Sequence, residues 1–427
     1  MLRRERLLAA AALAALAVLG AAVEEYTDEE LAAERERVQA LAEELVPRVE
    51  EATGMRSTGP VRIEVTTRAQ VREYLVQLLE EEYPCGELER QGRCLAVFGL
   101  LPADYDIRAG LVDLLQEQAG AFYDPRTRAF YSIIDLPEAF RLPLMERLIV
   151  AHELTHALQD QAIDLLEMQR ADKENTDVAY AHMAVMEGMA TVAMFVAAQG
   201  TAVESLPNLG GMLRMSVVAA ESNPMMQVFA TSPRYMQESL ISPYADGSVF
   251  VQAFLAAEAG GACSDLLGRL PSSSEQILHF DRYVEGDEPT DIDLSGLGTA
   301  LPPGWTPYFD NVLGELEVKV LCELHEPTSE AAPEIAAGWD GITYSAFADG
   351  ESLLMLGCSV WDSEADAAEF ADGLLLVLGE LHGPDIVQIE RRGERVSFVI
   401  GELQADAARL ALERLAEAPA RETAGAN

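Results

Sequence analysis

Apolar residues recur at helical spacing over much of the first 285 positions and at alternate positions over much of 309–427. Thr27-Asp-Glu-Glu30 is a capping box, and the amphipathic pattern behind it predicts a long helix that stops at Gly54. Val61 to Thr66 alternates like a strand, and Arg68 to Glu82 and Arg108 to Gln118 read as helices. Ala119 to Ile134 reads as a β-hairpin whose turn starts at Asp124-Pro125. From Pro143 to about Leu166 the pattern predicts one buried helix, with Leu144, Leu148, Ala151, Thr155 and Leu158 along one face. Thr176 to Gln199 is apolar on nearly every side from Ala179 onward, which suits a central core helix.

Two Met-rich helical segments follow, interrupted at Pro207, Pro224 and Pro233, and then a helix from Tyr244 to Ala259 that ends at Gly260-Gly261. Ser272-Ser-Ser-Glu275 is a second capping box, ahead of a short helix carrying His279. Residues 286–308 are rich in Gly, Pro, Asp and Thr and read as a linker. Beyond them the pattern is β-β-α-β-β-α, with strands at Thr343–Ala348, Ser352–Trp361, Ile386–Glu390 and Val396–Ile400. The fold class predicted is α+β: a mainly helical domain with a small sheet or hairpin, then a small C-terminal ββαββα domain. The divisions are 1–22, 23–57 (an N-terminal helix), 58–285, 286–308 and 309–427.

Composition adds a destination. A basic start, Met1 to Arg6, precedes an apolar run from Leu7 to Val23 with small residues at Gly20, Ala21 and Ala22. That is the pattern of an export signal over residues 1–22, implying a secreted or periplasmic protein. The same run left uncleaved would serve as an anchor, and no second apolar run suggests a membrane span. A net charge of −42 repels nucleic acid and anionic lipid, so neither is an expected partner. In an oxidising compartment Cys85 and Cys94 could pair across a short loop and Cys322 with Cys358, leaving Cys263 odd. The acidic runs Glu80–Glu82 and Asp281–Asp287 read as solvated surface.

The candidate chemistry lies within the helix predicted from Pro143. His152-Glu-Leu-Thr-His156 sets two imidazoles at i and i+4, one turn apart on one face, the reach needed to share a Zn²⁺ ion. Glu153 stands beside the first ligand, where a carboxylate can act as general base on water. The surrounding Ile149, Val150, Leu154, Thr155, Ala157 and Leu158 carry no charge, as a buried active-site helix requires. A catalytic zinc needs a third protein ligand, and the next helix offers Asp177, His182 and Glu187. His182 and Glu187 project about 140° apart and cannot easily serve together, whereas Asp177 and Glu187 lie about 80° apart, which leaves Asp177 as a supporting group. The extended pattern with a third histidine is absent, because Gln159 and Ala162 hold the positions it needs.

His152-Glu-Leu-Thr-His-Ala-Leu-Gln-Asp-Gln161, with Val185-Met-Glu-Gly-Met-Ala-Thr191, resembles the gluzincin metallopeptidases. With Tyr244-Ala-Asp-Gly247 and the Pro271-to-Phe280 segment, residues 60–285 are similar to a poorly characterised group of exported bacterial metallopeptidases. The resemblance implies a zincin-like fold, Glu187 as third zinc ligand and hydrolysis of peptide bonds in a peptide or protein substrate. Asp160 looks like the carboxylate that follows the second histidine in thermolysin-like enzymes. Those enzymes place an aspartate four residues after the glutamate ligand to support a zinc histidine. This chain has Thr191 there, so that support falls to Asp177 or Asp160. Tyr244 looks like the oxyanion-donor tyrosine of gluzincin aminopeptidases, and His279 is its rival. The alternative expectation is a zincin-fold protein that keeps the metal and binds without turnover; the presence of Glu153 favours the enzyme.

Overall fold

The computed structural model describes residues 26–422 apart from 221–222, 224–225 and 258–260, so the expected export segment 1–22 lies outside the described residues. Helix α1 (Asp28–Thr53) starts on its capping box, with Thr27 Oγ1 accepting from the Glu30 amide at 3.2 Å and Glu30 accepting from the Thr27 amide at 2.8 Å. Gly54 ends it at φ +77°, a left-handed turn that side chains disfavour. The buried stripe Val38, Ala42, Leu45 and Val49 packs α1 into the core against the helices at Pro143–Ala162 and Thr176–Gln199.

Strand β1 (Arg62–Thr66) and helices α2 (Arg68–Glu82), α3 (Glu87–Phe98) and α4 (Ile107–Gln118) lead to the hairpin β2 (Ala121–Asp124) and β3 (Ala129–Ile133). Its sheet has the order β1-β3-β2, with β1 parallel to β3, so β2 is left as an edge. Helix α5 (Pro143–Ala162) ends earlier than its apolar pattern suggests. Ile163 turns extended and Asp164 caps a separate helix, α6 (Leu165–Ala171). Asn175 caps α7 (Thr176–Gln199), whose bounds match the pattern. Although α7 is long and apolar enough to cross a membrane, here it is the buried central helix, flanked by α5 and α10.

Next come α8 (Leu209–Ala220), α9 (Gln227–Thr231) and α10 (Arg234–Ala257). The expected start of α10 at Tyr244 is too late, because Pro243 sits inside the helix. The hydroxyls of Ser239 and Ser242 donate to carbonyls one turn back, and Met236, Glu238 and Ile241 are buried, so packing carries the helix through its proline. Two short helices, α11 (Ser274–Leu278) and α12 (Phe280–Glu285), close this part.

Residues 286–308 are not a free linker. Strand β4 (Thr290–Ile292) pairs with β10 (Ala420–Glu422), and Ile292, Leu294 and Leu297 join a core with Leu354, Leu356 and Val399. The C-terminal part contains β5 (Thr306–Val312), α13 (Glu315–Glu323), α14 (Ala332–Ala336), β6 (Trp339–Asp349), β7 (Ser352–Trp361), α15 (Glu364–His382), β8 (Val387–Arg392), β9 (Arg395–Ile400) and α16 (Ala405–Ala416). The expected ββαββα order is present in β6 to α16. To it β5 adds an edge, giving an antiparallel sheet β5-β6-β7-β9-β8. The molecule is therefore α+β, mainly helical with small sheets.

Beside that smaller core, the two parts share a large one. One apolar cluster runs from Val38 of α1 to Phe398 of β9, and Phe98 of α3 meets Tyr344 and Phe398 at ring distances of 5.1 and 6.1 Å. All five cysteines are free, contrary to the expected pairings. Cys94 is buried on α3 while Cys85 is exposed; Cys322 and Cys358 belong to different apolar cores.

Candidate metal centre

Both histidines project from the middle of α5, their rings 4.7 Å apart and nearly perpendicular. Glu187 reaches them from α7, whose position is fixed by close approach on its other side. A Cβ on Gly188 would fall 2.3 Å from the Gly247 carbonyl carbon, and one on Gly247 would fall 1.9 Å from the Ala184 oxygen. Only a glycine at each position lets α7 and α10 touch backbone to backbone. That contact delivers Tyr244, near the middle of α10, onto His152, with rings 5.9 Å apart and 18° from parallel. Helix α10 is braced in turn by α8, where Arg214 contacts Asp246 at 2.8 Å and Glu238 at 3.0 Å and Leu213 joins Ile241, Ala245 and Tyr244 in a small apolar cluster.

Three potential ligand atoms converge. His152 Nε2 and His156 Nε2 are 3.1 Å apart, and Glu187 Oε2 is 3.1 Å from the first and 3.4 Å from the second. A tetrahedron built on zinc bonds of about 2.0–2.1 Å has edges of about 3.3 Å, so this triangle fits one zinc with a fourth corner free. Burial would raise the Glu187 carboxyl, but His156 and His152 hold it well below the usual carboxylate range. Burial opposes charge on His156, yet the Glu187 carboxylate outweighs it and holds the imidazole above its ordinary value. The grouping already favours a cation at its centre.

Gln159 was not among the sequence candidates, and it orients His156. Its amide nitrogen donates to the Met186 carbonyl at 3.0 Å, so its oxygen, 2.8 Å from His156 Nδ1, must accept a proton from that ring. The other ring nitrogen, Nε2, then keeps its lone pair for a metal. An uncharged amide three residues after His156, on the same helix, was the available signal.

Glu153 is 8 % exposed, and its proton affinity is raised. Burial is the main cause and Glu187 adds to it; His152, His156 and a backbone hydrogen bond from Tyr123 on β2 oppose it. The edge strand is thus tied to the candidate base. Tyr244 stays a phenol far beyond its ordinary pKa because of burial, then Glu187 and Glu153, and its hydroxyl hydrogen-bonds Glu187.

The remaining candidates lie elsewhere. Asp160 supports neither histidine; it accepts from the Tyr123 hydroxyl at 2.7 Å and the Leu165 amide at 3.0 Å, bracing the hairpin and the α5–α6 turn. Asp177 lies about 15 Å along α7 from Glu187 at 1.5 Å per residue, and accepts from the Ser274 amide at 3.0 Å. His279 is on the same end of the molecule as Asp177, its Nε2 2.8 Å from Glu315 Oε1, and so is no rival to Tyr244. His182 pairs with Asp172 at 2.7 Å. Helical angle alone made Asp177 a neighbour of the candidate metal ligands; distance along the axis removes it.

The profile of a family described as a domain of unknown function (DUF8575) matches residues 307–415, from β5 to α16. No curated protein and no solved structure matches the chain.

Proposed function

We propose that the protein is a zinc-dependent peptidase of the gluzincin kind, with a zincin-like catalytic part, acting on peptide or protein substrates outside the cytoplasm. The observation that carries this reading is the triangle of His152, His156 and Glu187, with ligand-ligand distances suited to zinc and a buried glutamate beside it. Zinc held by these three residues would supply Lewis acidity toward a scissile carbonyl and toward water. Glu153, a carboxylate whose burial raises its hold on a proton, is suited to take a proton from water and pass it to the leaving amine. Tyr244 keeps its proton and faces the same place, so it can donate a hydrogen bond to an oxygen that gains negative charge. Strand β2 is an edge strand, where an extended peptide could pair with the backbone groups not already taken by Glu153. Phe122 of that strand stacks on Tyr74 and Tyr131 at 5.1 and 4.9 Å beside a cavity of about 420 Å³, which would receive alternate side chains of such a peptide. The export pattern at the N-terminus supports an extracytoplasmic site of action.

Glu153→Gln tests the reading against a zincin fold that binds without turnover. Cleavage of a quenched fluorescent peptide library should fall about 10²- to 10⁴-fold while one zinc per chain is retained. Metal without native cleavage would favour the binding protein, and loss of stoichiometric zinc from the native chain would refute both.

A further inference from the structure

Away from the candidate metal centre, a dense group of charges lies where the start of α7 meets the start of the C-terminal part. Four carboxylates from three helices are almost fully buried there: Asp177 (1 % exposed) on α7, Glu275 (3 %) on α11, and Glu315 (3 %) and Glu317 (8 %) on α13. Asp287 and Asp362 approach Glu275 at the rim, their oxygens all within 4.8 Å of one another. The facing cations are Arg282, which contacts Asp362, Asp287 at 2.6 Å and Glu275 at 3.8 Å, and His279, which contacts Glu315. Asp281 and Asp340 add negative charge nearby, and Tyr180, Tyr235 and Tyr344 face Glu317 from α7, α10 and β6. Glu275 Oε1 and Glu315 Oε2 are buried without a hydrogen-bond partner. Two facing cations are too few to balance four buried carboxylates, so the group favours holding protons.

Hydrogen bonds on and beside these groups join the two parts. The Leu316 amide donates to Ser274 Oγ at 3.3 Å and His279 Nε2 meets Glu315 Oε1 at 2.8 Å across the junction, while the Ser274 amide donates to Asp177 Oδ1 at 3.0 Å on one side of it and the Gly314 amide to Glu317 at 3.1 Å on the other. Gly314 is pressed so close that a Cβ would lie 1.8 Å from Asp177 Oδ1. Thr176 donates from its amide to Asn311 and from its hydroxyl to the Val312 carbonyl, at 3.1 and 2.9 Å.

We propose that this junction is a proton-operated latch: protons held among Asp177, Glu275 and Glu317 fasten the C-terminal part to α7, and their loss as the pH rises loosens it. Burial, then Glu317, pushes Asp177 up to about 7 against hydrogen bonds from Ser274. Burial, then Glu315, pushes Glu275 up to about 9 against Arg282. Burial also raises Glu317, against backbone hydrogen bonds, and the bond to Glu315 raises His279 against burial. A raised acid contributes stability that is full below its ordinary value of about 4 and is lost as pH climbs through the raised one. Asp177 therefore weakens the junction from about pH 4 to about 7 and Glu275 from about pH 4 to about 9, and His279 acts in the same direction above its ordinary value. Since α7 carries both Asp177 and Glu187, loosening reaches the helix that bears the candidate metal ligand.

Hydrogen exchange on the full chain tests this, with the intrinsic base dependence of exchange divided out. Between about pH 5.5 and 8.5 the amides of Ser274, Gly314 and Leu316 should lose at least about tenfold protection, since one released proton is worth up to tenfold per pH unit. The amides of α5 should change little. The double variant Asp177→Asn, Glu275→Gln keeps the hydrogen-bonding shape without the titration and should flatten the response. Constant protection in the native chain would overturn the latch, as would an unchanged pH response in the double variant. The native series decides by itself if the double variant does not fold.

Discussion

Helix α7 carries two buried carboxylates with opposite fates. Near its middle Glu187 faces two imidazoles and is held ionised; at its first turn Asp177 faces Glu317 and Glu315 and is driven toward its neutral form. Both are largely withdrawn from water, Asp177 more completely than Glu187, yet depth alone does not set their charge. Company does: a buried carboxylate keeps its charge where the neighbours can be cationic, and gives it up where they are acids. One end of the helix is therefore suited to hold a metal ion, and the other to hold protons.

Amide replacements at the two ends should part widely. Glu187→Gln removes the anionic ligand and should abolish both stoichiometric zinc and peptide cleavage, read by metal analysis and a peptide assay. In chelated protein, Glu187 contributes stability that is present above its ordinary value and lost as pH falls through the lowered one. His156 contributes stability present below its ordinary value and lost as pH rises through the raised one. The pair is thus fully stabilising between about pH 4.5 and 6.5, and the variant's thermal midpoint should fall most there.

A smaller effect is expected one layer out. Gln159→Leu frees the His156 ring from its fixed tautomer and should weaken zinc binding about 10- to 100-fold, measured by competition with a chelating dye. Unchanged affinity would mean that Gln159 only fills space. The smallest effect belongs to Asp177→Asn. The amide still offers an oxygen to the Ser274 amide and buries no charge, so unfolding free energy at pH 8 should change by less than about 1 kcal/mol or rise. A loss as large as that of Glu187→Gln would erase the distinction between the two ends.

Much of this was legible in the chain, and the limits have physical causes. The capping box at Thr27, the glycine stop at Gly54 and the bounds of α7 follow from local signals that tertiary packing did not override. The spacing of His152 and His156 sufficed to put both on one helical face, while selecting Glu187 needed the family resemblance, because angle around α7 says nothing about which neighbour it faces. That gap misplaced Asp177, and His279 likewise, whose partner Glu315 is 36 residues away in the chain. The glycines of Glu187-Gly188 and Tyr244-Ala-Asp-Gly247 gained meaning only when α7 and α10 were seen to cross on them. Residues 286–308 have the composition of a linker, yet three well-spaced apolar side chains, Ile292, Leu294 and Leu297, were enough to anchor it in a core. Strand β5 was missed because a bulge between Pro307 and Phe309 breaks its alternation.

The account rests on one cation gripped by α5 and α7, and crystals grown with zinc test it most directly. An anomalous difference map collected at the zinc edge should show one strong peak about 2.0–2.1 Å from Nε2 of both His152 and His156 and bonded to Glu187. A map with no peak there, or with its peak instead among Glu275, Asp287 and Asp362, would contradict it.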